Sequence, residues 1–240
     1  NDITYYLGTP PTEWGFNYFR AMATAHVVPD AFQTAELTEY GASPSSIHTY
    51  DGFKEEVCVA DFEPDPDFPD RLPFDDYVVV RPEAIGAAYV DLDPEDSLVP
   101  DILERAVDAG LNVVYLPRRP GDRKHATRYP EDRVFVPDEP LPGLQLSWYA
   151  DCTLTGSGTM GREAAAMSKP AVSFFPHTML SVDQRLVEQD RVFHSRDPDD
   201  IADYLTGLSR EEVRPDLERA RTVRDEVVDI TGSVIDEVTR

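Results

Sequence analysis

The sequence predicts an α/β fold with a parallel sheet, and three observations carry that prediction. From Tyr77 onward, short apolar runs alternate with helical stretches, the order that winds strands side by side in one direction. Ala150 to Pro176 reads as strand, glycine turn, helix and second strand, a βαβ unit. The 240 residues are 41% apolar, enough for a sizeable core.

The elements follow in order. Ile3–Leu7 reads as a strand ended by Gly8-Thr9-Pro10-Pro11, and Glu13–Ala25 as a helix with Trp14, Phe16, Phe19 and Met22 among its apolar positions. Ala25–Val28 is a short strand. Asp30 is placed to cap a helix over Ala31–Tyr40, and Gly41 to close it. Ile47–Tyr50 is another strand. Asp61–Phe74 carries four prolines, which exclude regular structure, and reads as a linker. Beyond it lie a strand at Tyr77–Val80, a helix at Glu95–Ala109 ended by Gly110, and strands at Asn112–Leu116 and Val134–Val136. A helix at Leu141–Tyr149 precedes the βαβ unit. A helix at Val182–Glu188, a minimal strand at Val192–Phe193 and a helix at Pro198–Leu208 follow it. Glu211–Arg240 is a charged helical tail, with a break expected at Thr231-Gly232-Ser233. The domains are therefore residues 1–60, a linker at 61–74, a main domain at 75–208 and a tail at 209–240.

Net charge is -24, with 46 acidic residues against 19 arginines and three lysines. Such a surface repels nucleic acid and anionic membranes. The acid is spread along the whole chain, which favours adaptation to a high-salt cell over one acidic docking surface. Cys58 and Cys152 stand far apart in apolar settings, which argues for a reducing cytoplasm and against a disulfide framework. No run approaches the ~20 apolar residues of a membrane span. The five histidines show no metal-ligand spacing.

Gly156-Ser-Gly-Thr-Met-Gly161 matches G-x-G-x-x-G. It follows about the fourth strand of its domain, not the first, and lacks an acidic residue at the end of the next strand, so it is not read as a dinucleotide fingerprint. Two readings stay open. The glycines and the Ser157 and Thr159 hydroxyls cradle a phosphate at a helix N-terminus, with Arg162 in reach, or they make only a tight turn. Glu163 shares a helix stripe with Met160 and Met167; it accepts ribose hydroxyls, or it pairs with Arg162 or the helix end, or it simply snorkels to solvent. Arg118, Arg119, Arg123, Lys124, Arg128 and Arg133 form the densest basic segment. They bind phosphate, or pair with Asp122, Glu131 and Asp132. Arg81-Pro82-Glu83 ends a strand on the same sheet edge as the glycine turn.

Gly156–Val172, together with Tyr50-Asp-Gly-Phe-Lys-Glu-Glu56, Phe62-Glu-Pro-Asp-Pro66 and Val78-Val-Val-Arg-Pro-Glu83, resembles the domain of unknown function 354 family over nearly the whole chain. That family is similar to UDP-N-acetylglucosamine 2-epimerases and to glycosyltransferases of the two-Rossmann-domain (GT-B) type. The resemblance implies a GT-B-like fold: a Rossmann-type C-terminal domain plus a partial N-terminal α/β segment. It implies that Gly156, Ser157, Gly158 and Thr159 take a nucleotide diphosphate and Glu163 the ribose. Arg162 and Arg118 would help neutralise the diphosphate, and Arg81 would line the cleft. Glu13 falls roughly where the epimerases carry a functional glutamate. No cofactor is required; a nucleoside diphosphate sugar is the expected substrate and ligand. Self-association is compatible with this reading. Residues 1–60 match only the last part of an N-terminal Rossmann domain, so the chain is a fragment or that half is reduced. The expectation is a nucleotide-sugar-dependent glycosyltransferase or epimerase-like protein. The alternative is a non-catalytic binding or assembly module.

Overall fold

The computed structural model describes residues 21–85, 92–208 and 214–239. The expected strand at Ile3–Leu7, most of the helix at Glu13–Ala25, and Glu13 itself lie outside them.

The first unit is small. Strand β1 (His26–Pro29) runs parallel to β2 (Ile47–Tyr50), with His26 opposite Ile47 and Pro29 opposite Tyr50. The six-residue helix α1 (Thr34–Glu39) crosses between them and buries Leu37 with Ala21, Phe32 and Ala42. Gly41 sits at φ +104°, a conformation that glycine adopts without strain, and turns the chain out of α1. Asp30 does not cap α1, which starts later, at Thr34, with Gln33 before it making no side-chain cap. Asp30 instead donates its backbone N–H to the Tyr50 carbonyl at 2.9 Å, which continues the β1–β2 pairing.

Helix α2 (Lys54–Val59) was not expected from the sequence. At six residues it is too short to show a helical period. Its start is fixed by the Glu56 carboxylate, which accepts the Phe53 N–H at 3.1 Å. Residues 61–74 hold one 3₁₀ turn, Pro69–Arg71, and otherwise irregular backbone. The segment is nonetheless anchored: Phe68 and Phe74 are buried, and Tyr149 donates to the Asp65 carbonyl at 2.8 Å.

The main unit comprises β3 (Val78–Arg81), α3 (Val99–Asp108), β4 (Val113–Tyr115), β5 (Val134–Phe135), α4 (Gly143–Tyr149), β6 (Cys152–Thr155), α5 (Gly158–Ala166), β7 (Ala171–Ser173), α6 (Ser181–Glu188), β8 (Phe193–His194) and α7 (Pro198–Gly207). Every strand pair is parallel, in the order β5-β4-β3-β6-β7-β8. Counted from β3 this is 3-2-1-4-5-6, the doubly wound Rossmann order. Helix α3 begins at Val99 rather than Glu95. Pro100 sits in its first turn, where the missing N–H costs nothing, and a 3₁₀ turn covers Pro94–Asp96.

Alternation along β3 explains the two layers. Val78 and Val80 face Ile102, Leu103, Ile201 and Leu205 of α3 and α7. Tyr77 and Val79 face Leu146 and Met160 of α4 and α5. Each fully buried valine or leucine contributes about 1.5–3 kcal/mol of transfer free energy.

Helix α8 (Glu218–Val238) runs unbroken through Thr231-Gly232-Ser233. A glycine costs an exposed helix only about 1 kcal/mol, too little to split one of this length. Its buried residues Ala220 and Val223 return the chain to the first unit, where α8 packs on α2. A Cβ on Gly52 would lie 2.6 Å from Val223, so the approach is close. Among the described residues no helix is long and apolar enough to cross a membrane.

Candidate functional site

Strands β3 and β6 are neighbours whose connections leave in opposite directions, β3 to β4 and β6 to β7. Their carboxyl ends therefore open a crevice. Gly156 to Thr159 follows β6, and Pro82-Glu83 follows β3. The two loops touch. The Gly156 N–H donates to the Arg81 carbonyl at 3.0 Å, and a Cβ on Gly156 would lie 2.6 Å from the Glu83 nitrogen and Cγ. Only glycine fits there, because the obstacle is backbone.

Ser157 N–H donates to Thr155 Oγ1 at 3.0 Å, and Thr155 Oγ1 donates to the Ser157 carbonyl at 2.9 Å. The Gly156 and Ser157 amides are thus used inside the turn, and the available donors move two residues along. The amides of Gly158, Thr159 and Met160 open α5 without a backbone acceptor among the described residues, and Ser157 makes no side-chain cap. Three N–H groups at a helix start, with the helix dipole behind them, are an arrangement that can hold an anion. Arg118 borders it: Nη2 donates to the Ser157 hydroxyl and Nε to the Pro82 carbonyl at 2.8 Å.

Arg162, expected to reach an anion, lies beneath the turn. Its Nε sits 3.0 Å from Glu55 Oε1, and Nη1 sits 2.9 Å and 3.0 Å from the two Asp183 oxygens. The guanidinium passes against Gly158, where a Cβ would collide with Nη1. Burial disfavours its charge, but Asp183 and Glu55 more than offset this and hold its pKa above the ordinary arginine value. One buried cation therefore ties α5 to α2 and α6.

Because Arg162 is engaged elsewhere, Glu163 is not its partner. Among the described residues the Glu163 carboxylate makes no hydrogen bond or ion pair. Burial, with Glu55 nearby, pushes its pKa up, while Arg162, Lys54 and Arg81 pull it down. Lys54 thus belongs to the electrostatic surroundings of the site, and sequence reasoning missed it. The same holds for Glu55 and Glu56, which are 3% and 0% exposed. Glu56 Oε1 takes Arg191 at 2.8 Å and Arg219 at 2.9 Å. In so acidic a chain, two adjacent glutamates read as solvated. The signal that could have found them is their place in the Tyr50–Glu56 block.

The basic segment divides. Arg123 donates to the Pro137 carbonyl at 2.9 Å, Arg128 to Pro100 at 3.2 Å, and Arg133 to Gly110 at 3.4 Å. Asp122 does not pair with the basic side chains as one reading expected. Its Oδ2 accepts the Arg118 and Arg119 backbone N–H groups at 3.1 Å and 3.0 Å and shapes the loop. Only Arg118 from this segment meets the glycine turn. Among the described residues no group of three or more His, Cys, Asp or Glu is placed to hold a metal ion.

Solved structures share this fold. Anabaena HepE in complex with UDP-glucose aligns over 98% of this chain and 71% of its own, at 13% identity and TM-score 0.59. A Methanocaldococcus jannaschii UDP-GlcNAc 2-epimerase in complex with UDP-GlcNAc and UDP aligns over 87% of this chain and 61% of its own, at 14% identity and TM-score 0.55. An uncharacterised protein of Methanocaldococcus jannaschii is 35% identical over 103 residues, which is 43% of this chain and 29% of that relative. The chain thus spans under a third of this curated relative's length. Residues 19–239 match the family described as "Protein of unknown function (DUF354)", and the chain belongs to that family.

Proposed function

We propose that this chain carries the nucleotide-binding part of a nucleotide-sugar-dependent glycosyltransferase or epimerase-like protein. The observation that carries the reading is the uncapped start of α5 at the switch point, beside Arg118, in a fold that neighbours share while holding UDP-sugars. The diphosphate lies on the Gly158, Thr159 and Met160 amides. Gly156 lets the turn close on Glu83. The Ser157 hydroxyl, oriented by Arg118, and the Thr159 hydroxyl add donors. Arg81 lines the crevice, and Glu163 accepts the ribose hydroxyls. Arg162 acts through the turn by holding it against α2 and α6. As the bond from sugar to diphosphate breaks, negative charge grows on the leaving oxygen. Fixed N–H dipoles and the Arg118 guanidinium stabilise it without reorganisation.

Calorimetry in high salt with UDP, GDP and UDP-sugars tests the reading. The expected result is saturable heat with UDP or GDP and weaker binding by about 1–3 kcal/mol in Glu163→Ala. No heat with any of them overturns it. A non-catalytic binding module gives the same heats but no release of nucleoside diphosphate from the sugar nucleotide.

A further inference from the structure

Beside the start of α5, at the carboxyl ends of β3 and β4, lies an open cavity of about 230 Å³. Pro82, Glu83, Ser97, Arg119, Lys124 and His125 are among its lining residues. It shares a wall with the glycine turn. Gly156 abuts the Glu83 backbone, and the Pro82 carbonyl takes the same Arg118 that donates to Ser157. Whole small-molecule ligands occupy roughly 300–1,000 Å³, so this space takes one moiety of a larger ligand.

The charges in the cavity are unevenly committed. Glu83 is 2% exposed, and both its oxygens are occupied: Ser97 donates at 2.8 Å and the Leu98 N–H at 3.0 Å. Asp122 Oδ2 accepts two backbone N–H groups. The Arg119 and Lys124 side chains, by contrast, make no hydrogen bond or ion pair among the described residues. Elsewhere in the chain Arg105, Arg128, Arg162, Arg185, Arg191, Arg219 and Arg224 all have carboxylate partners within 3.5 Å. Arg133, Arg196 and Arg221 donate to backbone carbonyls instead. Glu83 and Asp122 keep their charge, but both Glu83 oxygens and Asp122 Oδ2 already accept hydrogen bonds, so the Arg119 and Lys124 heads are the donors on this cavity left without a partner among the described residues. Burial and Lys124 hold the His125 pKa below its ordinary value, so at neutral pH the ring is uncharged and adds a further hydrogen-bonding group.

We infer that this cavity is a second anion subsite, which receives the carboxylate of a uronate sugar whose diphosphate lies on α5. The planar fork of Arg119 matches a carboxylate in two hydrogen bonds, and Lys124 supplies a mobile charge. The inference rests on the nucleotide-sugar reading and adds the class of sugar.

The test compares UDP, UDP-glucose and UDP-glucuronate by calorimetry on the whole chain in high salt. UDP-glucuronate is expected to bind on the order of tenfold tighter than UDP-glucose, as charge-assisted hydrogen bonds allow. In the Arg119→Ala, Lys124→Ala double variant that ratio falls to about one through loss of glucuronate affinity. Both side chains are exposed and unpaired, so the thermal midpoint of the variant stays at the parent value. UDP binding with equal affinity for the two sugars overturns this inference alone, as does a ratio that survives in the double variant. No heat with UDP removes the nucleotide reading and this inference together.

Discussion

Replacing Arg162 by methionine tests whether the glycine turn is held from beneath. The Arg162 side chain is 9% exposed, and its partners Glu55 and Asp183 are 4% and 19% exposed. Methionine refills much of the volume but leaves two carboxylates without a cation in a largely dry setting. Breaking a buried ion pair from one side costs about 3–5 kcal/mol. The arginine stem is already buried, so methionine gains little transfer energy to offset this. A domain of this kind has about 5–15 kcal/mol in total, so the variant remains folded but weakened. With a urea m-value of about 3 kcal/mol/M, the midpoint falls by about 1–1.7 M, read by circular dichroism at fixed salt. A second variant isolates the geometry. Gly158→Ala places a Cβ against the Arg162 guanidinium, so it destabilises the parent and costs less in the Arg162→Met background. A midpoint shift under about 0.3 M for Arg162→Met, or full additivity with Gly158→Ala, would refute the clamp.

Gly156→Ala meets backbone rather than a mobile side chain, so it should cost about 1–3 kcal/mol in the same urea assay and weaken UDP binding in calorimetry. Glu163 gives a pH signature. Its folded pKa is raised above the ordinary 4.5, so ionisation opposes folding. That penalty is absent below the ordinary value, grows as pH rises through the raised value, and is complete above it. Glu163→Gln should therefore gain stability over the parent at pH 7 and lose that advantage near pH 4, as urea midpoints at the two pH values will show. An advantage that does not change with pH would refute it.

The parallel α/β class, the run of elements from β3 to α7 and the βαβ unit around Gly156 were legible because each is written in local pattern. β-Branched runs, a glycine turn and a proline stop act over a few residues. Local pattern failed where length or context decided. Helix α2 has too few residues to show a period. The unbroken α8 outweighs a single glycine. Asp30 had a capping side chain but was needed one residue after β1.

The sequence by itself determined that a glycine turn opening a helix follows the fourth strand of the main unit, because the need for glycine beside a helix start is local chemistry. Only the tertiary structure decided which groups serve it. Strand order placed β3 beside β6 and set Glu83 against Gly156, and the bonds within the turn leave the Gly158, Thr159 and Met160 amides without a backbone acceptor among the described residues. Packing of α2 and α6 against α5 drew Arg162 beneath the turn and left the Glu163 carboxylate without a hydrogen bond or ion pair among the described residues. The fate of each charge depends on which carboxylate lies nearest in space, and residues 128 and 107 positions apart in sequence, Glu55 with Asp183 and with Arg162, meet only when the chain is folded.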